Sequence, residues 1–163
     1  MKRFIMYLLL LLPMALVSCG GDDEPKTNTS KDPDGTIVVN VNQGSETNAG
    51  GCGIELGKDY NLRCGTYNGV SVIGPVKGIG SITATAASVQ NLTWSPYVAA
   101  QVGYGYIFRE SVSIWSEATM QIEYGYCDYY AVYVAEEISS TTGGVMGYTL
   151  KVRKLLENIK EQD

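Results

Sequence analysis

From residue 36 onward the chain is a series of short runs rich in Val, Ile, Tyr and Thr, each cut off by Gly, Pro, Asn or Ser. Runs of this length and type pack as strands, and they are too short and too often interrupted for amphipathic helices. The candidates are 36–41, 70–73, 81–87, 97–109, 112–115, 118–123, 129–138 and 145–152, with 139–144 as a hairpin connection. In the first of them Ile37, Val39 and Val41 alternate with Thr36, Val38 and Asn40, the period expected when one face is buried. The pattern predicts an all-β fold, a single small antiparallel β-sandwich or barrel-like domain. A short C-terminal helix over 154–160 is also expected, since Leu155, Leu156 and Ile159 recur at helical spacing.

The segment from Cys52 to Cys64 reads as a further hairpin with Gly57-Lys58-Asp59 as its loop. Centring it on Lys58 sets Leu56 opposite Tyr60, Ile54 opposite Leu62 and Cys52 opposite Cys64, all on one face. Directly opposed cysteines can bridge, and a loop this short would contribute at most about 3 kcal/mol. A Cys52–Cys64 disulfide and a pair of small buried hydrophobes are the two readings. Cys127 is then left over as a buried thiol.

The N-terminus has a different composition. Lys2 and Arg3 precede an apolar run over 4–17, which at about 1.5 Å per residue is too short for a bilayer core of about 30 Å. It reads as an export signal over 1–18. Leu16-Val17-Ser18-Cys19 resembles a bacterial lipobox, with Cys19 as the acylated residue. Asp22, Asp23 and Glu24 follow after Gly20-Gly21, like an acidic export signal for the outer face of an outer membrane. Residues 19–35 hold no large apolar side chain and read as a flexible acidic tether, leaving 36–163 as one β-rich domain.

Loss of Lys2 and Arg3 leaves ten of the twelve basic residues against seventeen acidic ones, a formal charge of −7. No nucleic-acid partner is expected, because phosphate recognition needs a basic stripe. The chain has no histidine. That removes Ser-His-Asp and Cys-His nucleophiles and imidazole metal sites. No catalytic residue, metal site or cofactor is expected; the cysteines lack metal-ligand spacing, and the glycines of 74–80 lack phosphate-loop spacing. A glycoside hydrolase using two carboxylates stays open in principle.

Eleven of the twelve tyrosines follow Cys19. Tyr104, Tyr106, Tyr130 and Tyr133 are expected in the core. Gly103 and Gly105 leave bare backbone within the 97–109 run. Either a neighbouring aromatic such as Tyr124 or Tyr126 covers it, or it floors a shallow ligand groove. Trp94, Tyr97 and Trp115 stand beside Pro or Ser and are the candidate exposed contacts. The ligand-binding candidates are therefore Trp94, Tyr97, Gly103, Gly105 and Trp115.

Asp32-Pro33-Asp34-Gly35-Thr36-Ile37, Gly74-Pro75-Val76-Lys77-Gly78-Ile79-Gly80-Ser81-Ile82, Val102-Gly103-Tyr104-Gly105-Tyr106-Ile107, Tyr130-Ala131-Val132-Tyr133-Val134 and Gly143-Gly144-Val145-Met146-Gly147 occur in this order. Together they resemble a family of Bacteroidales outer-membrane lipoproteins of unknown function. The resemblance implies a lipid anchor in the outer membrane and carries no assigned functional residue; the acidic cluster behind Cys19 is what points to the cell exterior. The expectation is a non-catalytic binding or accessory module for a glycan or protein ligand. The alternative is a structural component of an outer-membrane complex, working through an exposed strand edge.

Overall fold

The computed structural model describes residues 30–65 and 69–161. Cys19, Asp22, Asp23 and Glu24 lie outside them. Ten strands follow in chain order: β1 (Ser30–Lys31), β2 (Ile37–Asn42), β3 (Ser45–Ala49), β4 (Cys52–Leu56), β5 (Asn61–Cys64), β6 (Val70–Pro75), β7 (Tyr97–Ala99), β8 (Tyr104–Ser116), β9 (Gln121–Ser139) and β10 (Val145–Lys160). A larger sheet runs β1-β2-β10-β9-β8-β6 and a smaller one β3-β4-β5-β7. All pairings are antiparallel. The fold is all-β, as expected.

Alternation decides what lies between the sheets. Val39 and Val41 from β2, Ile54 and Leu56 from β4, Leu62 from β5, Tyr106 and Phe108 from β8, Val132 and Val134 from β9, and Leu150 and Val152 from β10 form one buried cluster. The opposite face of the larger sheet would be bare, but residues 76–94 cross it. There Ile82 and Val89 pack on Ile107, Cys127, Tyr129 and Ala131 to make a second core.

This crossing segment corrects the strand expected over 81–87. It holds a 3-10 turn (Ile79–Ser81) and one turn of helix, α1 (Ala86–Val89). Thr85 accepts from the Ser88 amide and Ser88 from the Thr85 amide, a reciprocal cap that starts the helix where the alternation suggested a strand.

The 52–64 hairpin forms two residues out of the expected register: Leu56 faces Leu62, and Ile54 faces Cys64. Tyr60 is the cause. It adopts a left-handed φ of 59°, so the loop is Lys58-Asp59-Tyr60 and closes on a Gly57 N–H bond to the Asn61 carbonyl. The Asp59 carboxylate accepts from the Asn61 amide and fixes the turn. A shift of two preserves the buried face but separates the cysteines. Cys52 pairs with Ala49 of β3, and no disulfide joins it to Cys64.

The expected C-terminal helix is also corrected, because residues 154–160 continue β10 along β9 as far as Lys160 opposite Tyr126. Two bulges explain the helix-like spacing. Leu156 faces Tyr129 while Ile159 faces Cys127, so three steps on β10 match two on β9. Asn158 absorbs the extra residue with a φ of 51°.

Two carboxylates sit opposite each other at the end of the first core. Glu110 and Asp128 are register partners and both are buried. Glu110 accepts from the Gly53 amide at 2.7 Å and the Cys64 thiol at 3.1 Å. Asp128 accepts from Lys154 Nζ at 2.7 Å and the Asn158 amide at 2.8 Å, and the bond to Asp128 holds Lys154 charged well above its ordinary range. Lys154→Met is expected to cost about 2 kcal/mol in urea unfolding. Removing one partner of a buried pair costs more than that, but water reaches the lysine and Asp128 keeps its amide donor.

Candidate functional site

A concavity lies on the outer face of the larger sheet, where the crossing segment ends. It is a cleft of about 420 Å³ lined by Val89, Gln90, Asn91, Trp94, Arg109, Tyr129 and Glu161. Four remote stretches meet there. Val89, Gln90 and Asn91 come from the end of α1, and Trp94 from the loop behind it. That loop is tied to β6 by reciprocal backbone bonds between Ser95 and Val70. Arg109 and Tyr129 are register partners on β8 and β9. Glu161 follows β10, its amide bonded to the Gly125 carbonyl.

The side chains hold one another in place. The Arg109 guanidinium lies 4.6 Å from the Trp94 ring centroid, and its Nη1 donates to Glu161 Oε1 at 2.7 Å. Trp94 and Tyr129 stand 5.9 Å apart with their planes 42° off parallel. Cation–π and tilted ring contacts each contribute on the order of 0.5–1 kcal/mol, and together they bias the indole toward this pose. Burial, with Cys127 and Glu161 nearby, pushes the Tyr129 hydroxyl up to about 12. Burial and Glu161 push the Cys127 thiol up to about 11. Both groups keep their protons at neutral pH, so neither is an activated nucleophile there. The cleft offers an aromatic ring, two amides and an ion pair.

The sequence-predicted residues are dispersed. Trp94 is in the cleft. Tyr97 lies on β7, half-exposed, with the Arg63 guanidinium 5.8 Å from its ring. Trp115 is exposed near the far end of β8. Gly103 occupies a turn with φ of 85°, donating to the Val134 carbonyl. That turn splits the run expected over 97–109, giving β7 to the smaller sheet and β8 to the larger.

Gly105 neither floors a groove nor lies beneath a tyrosine. The Ile82 side chain fills the space above it: a Cβ there would stand 2.7 Å from Ile82 Cδ1 and 3.1 Å from Val76 Cγ2. Of the core tyrosines, Tyr106 and Tyr130 are buried between the sheets, Tyr104 packs at that cluster's edge, and Tyr133 packs against the second core. Arg109, Tyr129, Gln90, Asn91 and Glu161 had no motif to mark them. The one available signal was alternation, which put Arg109 on the face opposite Phe108.

Comparison with protein-family models, with curated proteins and with solved structures finds no match to this chain.

Proposed function

We propose that the chain is a non-catalytic binding module, held in the outer membrane by a lipid on Cys19 and facing the cell exterior, whose cleft takes a glycan. The observation that carries the ligand reading is Trp94, held by Arg109 and Tyr129 at an open cleft rimmed by Gln90 and Asn91. An indole held this way stacks on the apolar face of a sugar ring. Amides and an ion pair around it supply donors and acceptors for hydroxyls. The address rests on the leader, the lipobox-like Leu16-Val17-Ser18-Cys19 and the acidic Asp22-Asp23-Glu24 behind it.

A glycan array probed with the purified chain tests the ligand. The expected result is binding to a restricted set of glycans, weakened at least tenfold by Trp94→Ala and severalfold by Gln90→Ala, with an unchanged far-ultraviolet spectrum. A chain that binds no glycan, or a Trp94→Ala variant that binds as well as the parent, overturns the reading.

A further inference from the structure

Strands β8, β9 and β10 outrun the rest of the larger sheet. β6 accompanies β8 only from Tyr104 to Phe108, and β2 accompanies β10 only from Gly147 to Val152. Past these points three strands continue alone. Past Gly125, where β10 stops, only β8 and β9 remain, joined by the turn at residues 117–120. The result is a projecting arm whose end is a two-stranded ribbon.

The arm carries a concentration of exposed apolar side chains. Trp115 is 59% exposed, Met120 69%, Ile122 54% and Tyr124 75%. Trp115 and Ile122 are cross-strand partners and share a side, and Tyr124 lies two residues beyond Ile122. A ribbon without a third strand is marginally stable by itself, so large apolar groups left on it in water need another reason to be there. Among the described residues no strand lies along the outer edge of β8 over 110–116. Its outward N–H and C=O groups form a template of about 23 Å, enough for a seven-residue strand.

Charge selects the occupant. Residues 111–125 contain Glu117 and Glu123 and no Lys or Arg, in a chain whose formal charge without its leader is −7. A second copy would bring the same acidic ribbon against itself, and an anionic lipid surface would repel it. From these features we infer that the arm docks an extended segment of a partner protein, with alternating basic and apolar residues, added as a strand on the outer edge of β8. Its apolar side chains lie on Trp115 and Ile122, and its basic ones meet Glu117 and Glu123. This is independent of the glycan cleft.

The probe is a ten-residue synthetic peptide alternating Lys with Val and Tyr, titrated into the isotope-labelled chain. The expected result is amide shifts and slowed hydrogen exchange confined to the arm and strongest over 111–116. Ile122→Lys or Trp115→Lys should weaken binding at least tenfold while shifts elsewhere match the parent. Added salt should also weaken it. Equal binding of the peptide with Glu in place of Lys overturns the proposal, as does the absence of arm shifts. Concentration-dependent dimerisation through the arm, or binding of anionic vesicles through it, assigns the surface to another occupant and overturns it as well.

Discussion

Gly147→Ala is expected to destabilise the domain by 3 kcal/mol or more, moving the urea midpoint far down and the melting temperature by on the order of ten degrees. Gly147 lies in β10 between Asn42 of β2 and Ile138 of β9, in the middle of the larger sheet. A methyl there would collide with the Val41 carbonyl oxygen and lie 2.9 Å from Asn42 Cα. Those atoms are backbone, so no rotamer change relieves the clash. β2 must move away from β10, and Val39 and Val41 would leave the core with it. Gly144→Ala, three residues earlier, is the control. Its Cβ would meet only Ser140 Oγ at 3.6 Å, and the cost should stay within about 0.5 kcal/mol. Equal stabilities for the two variants would show that β2 and β10 do not approach as closely as described.

Alkali is expected to unfold the domain between about pH 10 and 12. Burial pushes the hydroxyls of Tyr106, Tyr129 and Tyr130 up from about 10 to about 12, Lys154 opposing the shift at Tyr130. The folded protein thus holds these protons more tightly than the unfolded chain does. Their contribution is fully present below about pH 10, where both states keep the proton, and is lost as pH rises through the folded values. Each such group contributes on the order of a few kcal/mol, so together they are a substantial share of the stability of an ordinary domain. Tyrosinate absorbance should rise in two phases, exposed rings first and the buried set together with loss of circular dichroism. Tyr130→Phe should shift the second phase upward. A single phase centred near pH 10, with the fold intact, would contradict this description of the core.

What was legible in the sequence was what depends on alternation. Ile37, Val39 and Val41 declared a face and kept it, and the hairpin over 139–144 needed only its glycines and hydroxyls. Readings failed where one residue broke the period. Tyr60 in the left-handed region moved a register by two, and the bulges of β10 gave Leu155, Leu156 and Ile159 a helix-like spacing within a strand. The cleft was hidden for a different reason. Trp94 could be singled out as an aromatic beside a loop, but its neighbours Arg109 and Tyr129 arrive from two strands and Glu161 from just beyond a third, and only the pairing order brings them together. Sequence distance says nothing about such a meeting.

Strand β1 determines a direction. Ser30 faces Val38 and Lys31 faces Ile37, while Ile37 faces Val152 and the arm continues past Val152 toward Lys160. Followed backward, the chain therefore leaves Ser30 heading away from the arm. From the level of Ser30, which β2 and β10 relay to Tyr133, the ribbon's end at Gln121 is twelve residues along β9, or about 40 Å. The eleven residues from Cys19 to Ser30 span at most about 40 Å. A chain anchored at Cys19 would thus have the ribbon and Ser30 at opposite ends of the larger sheet, with the separation between them set by strand length.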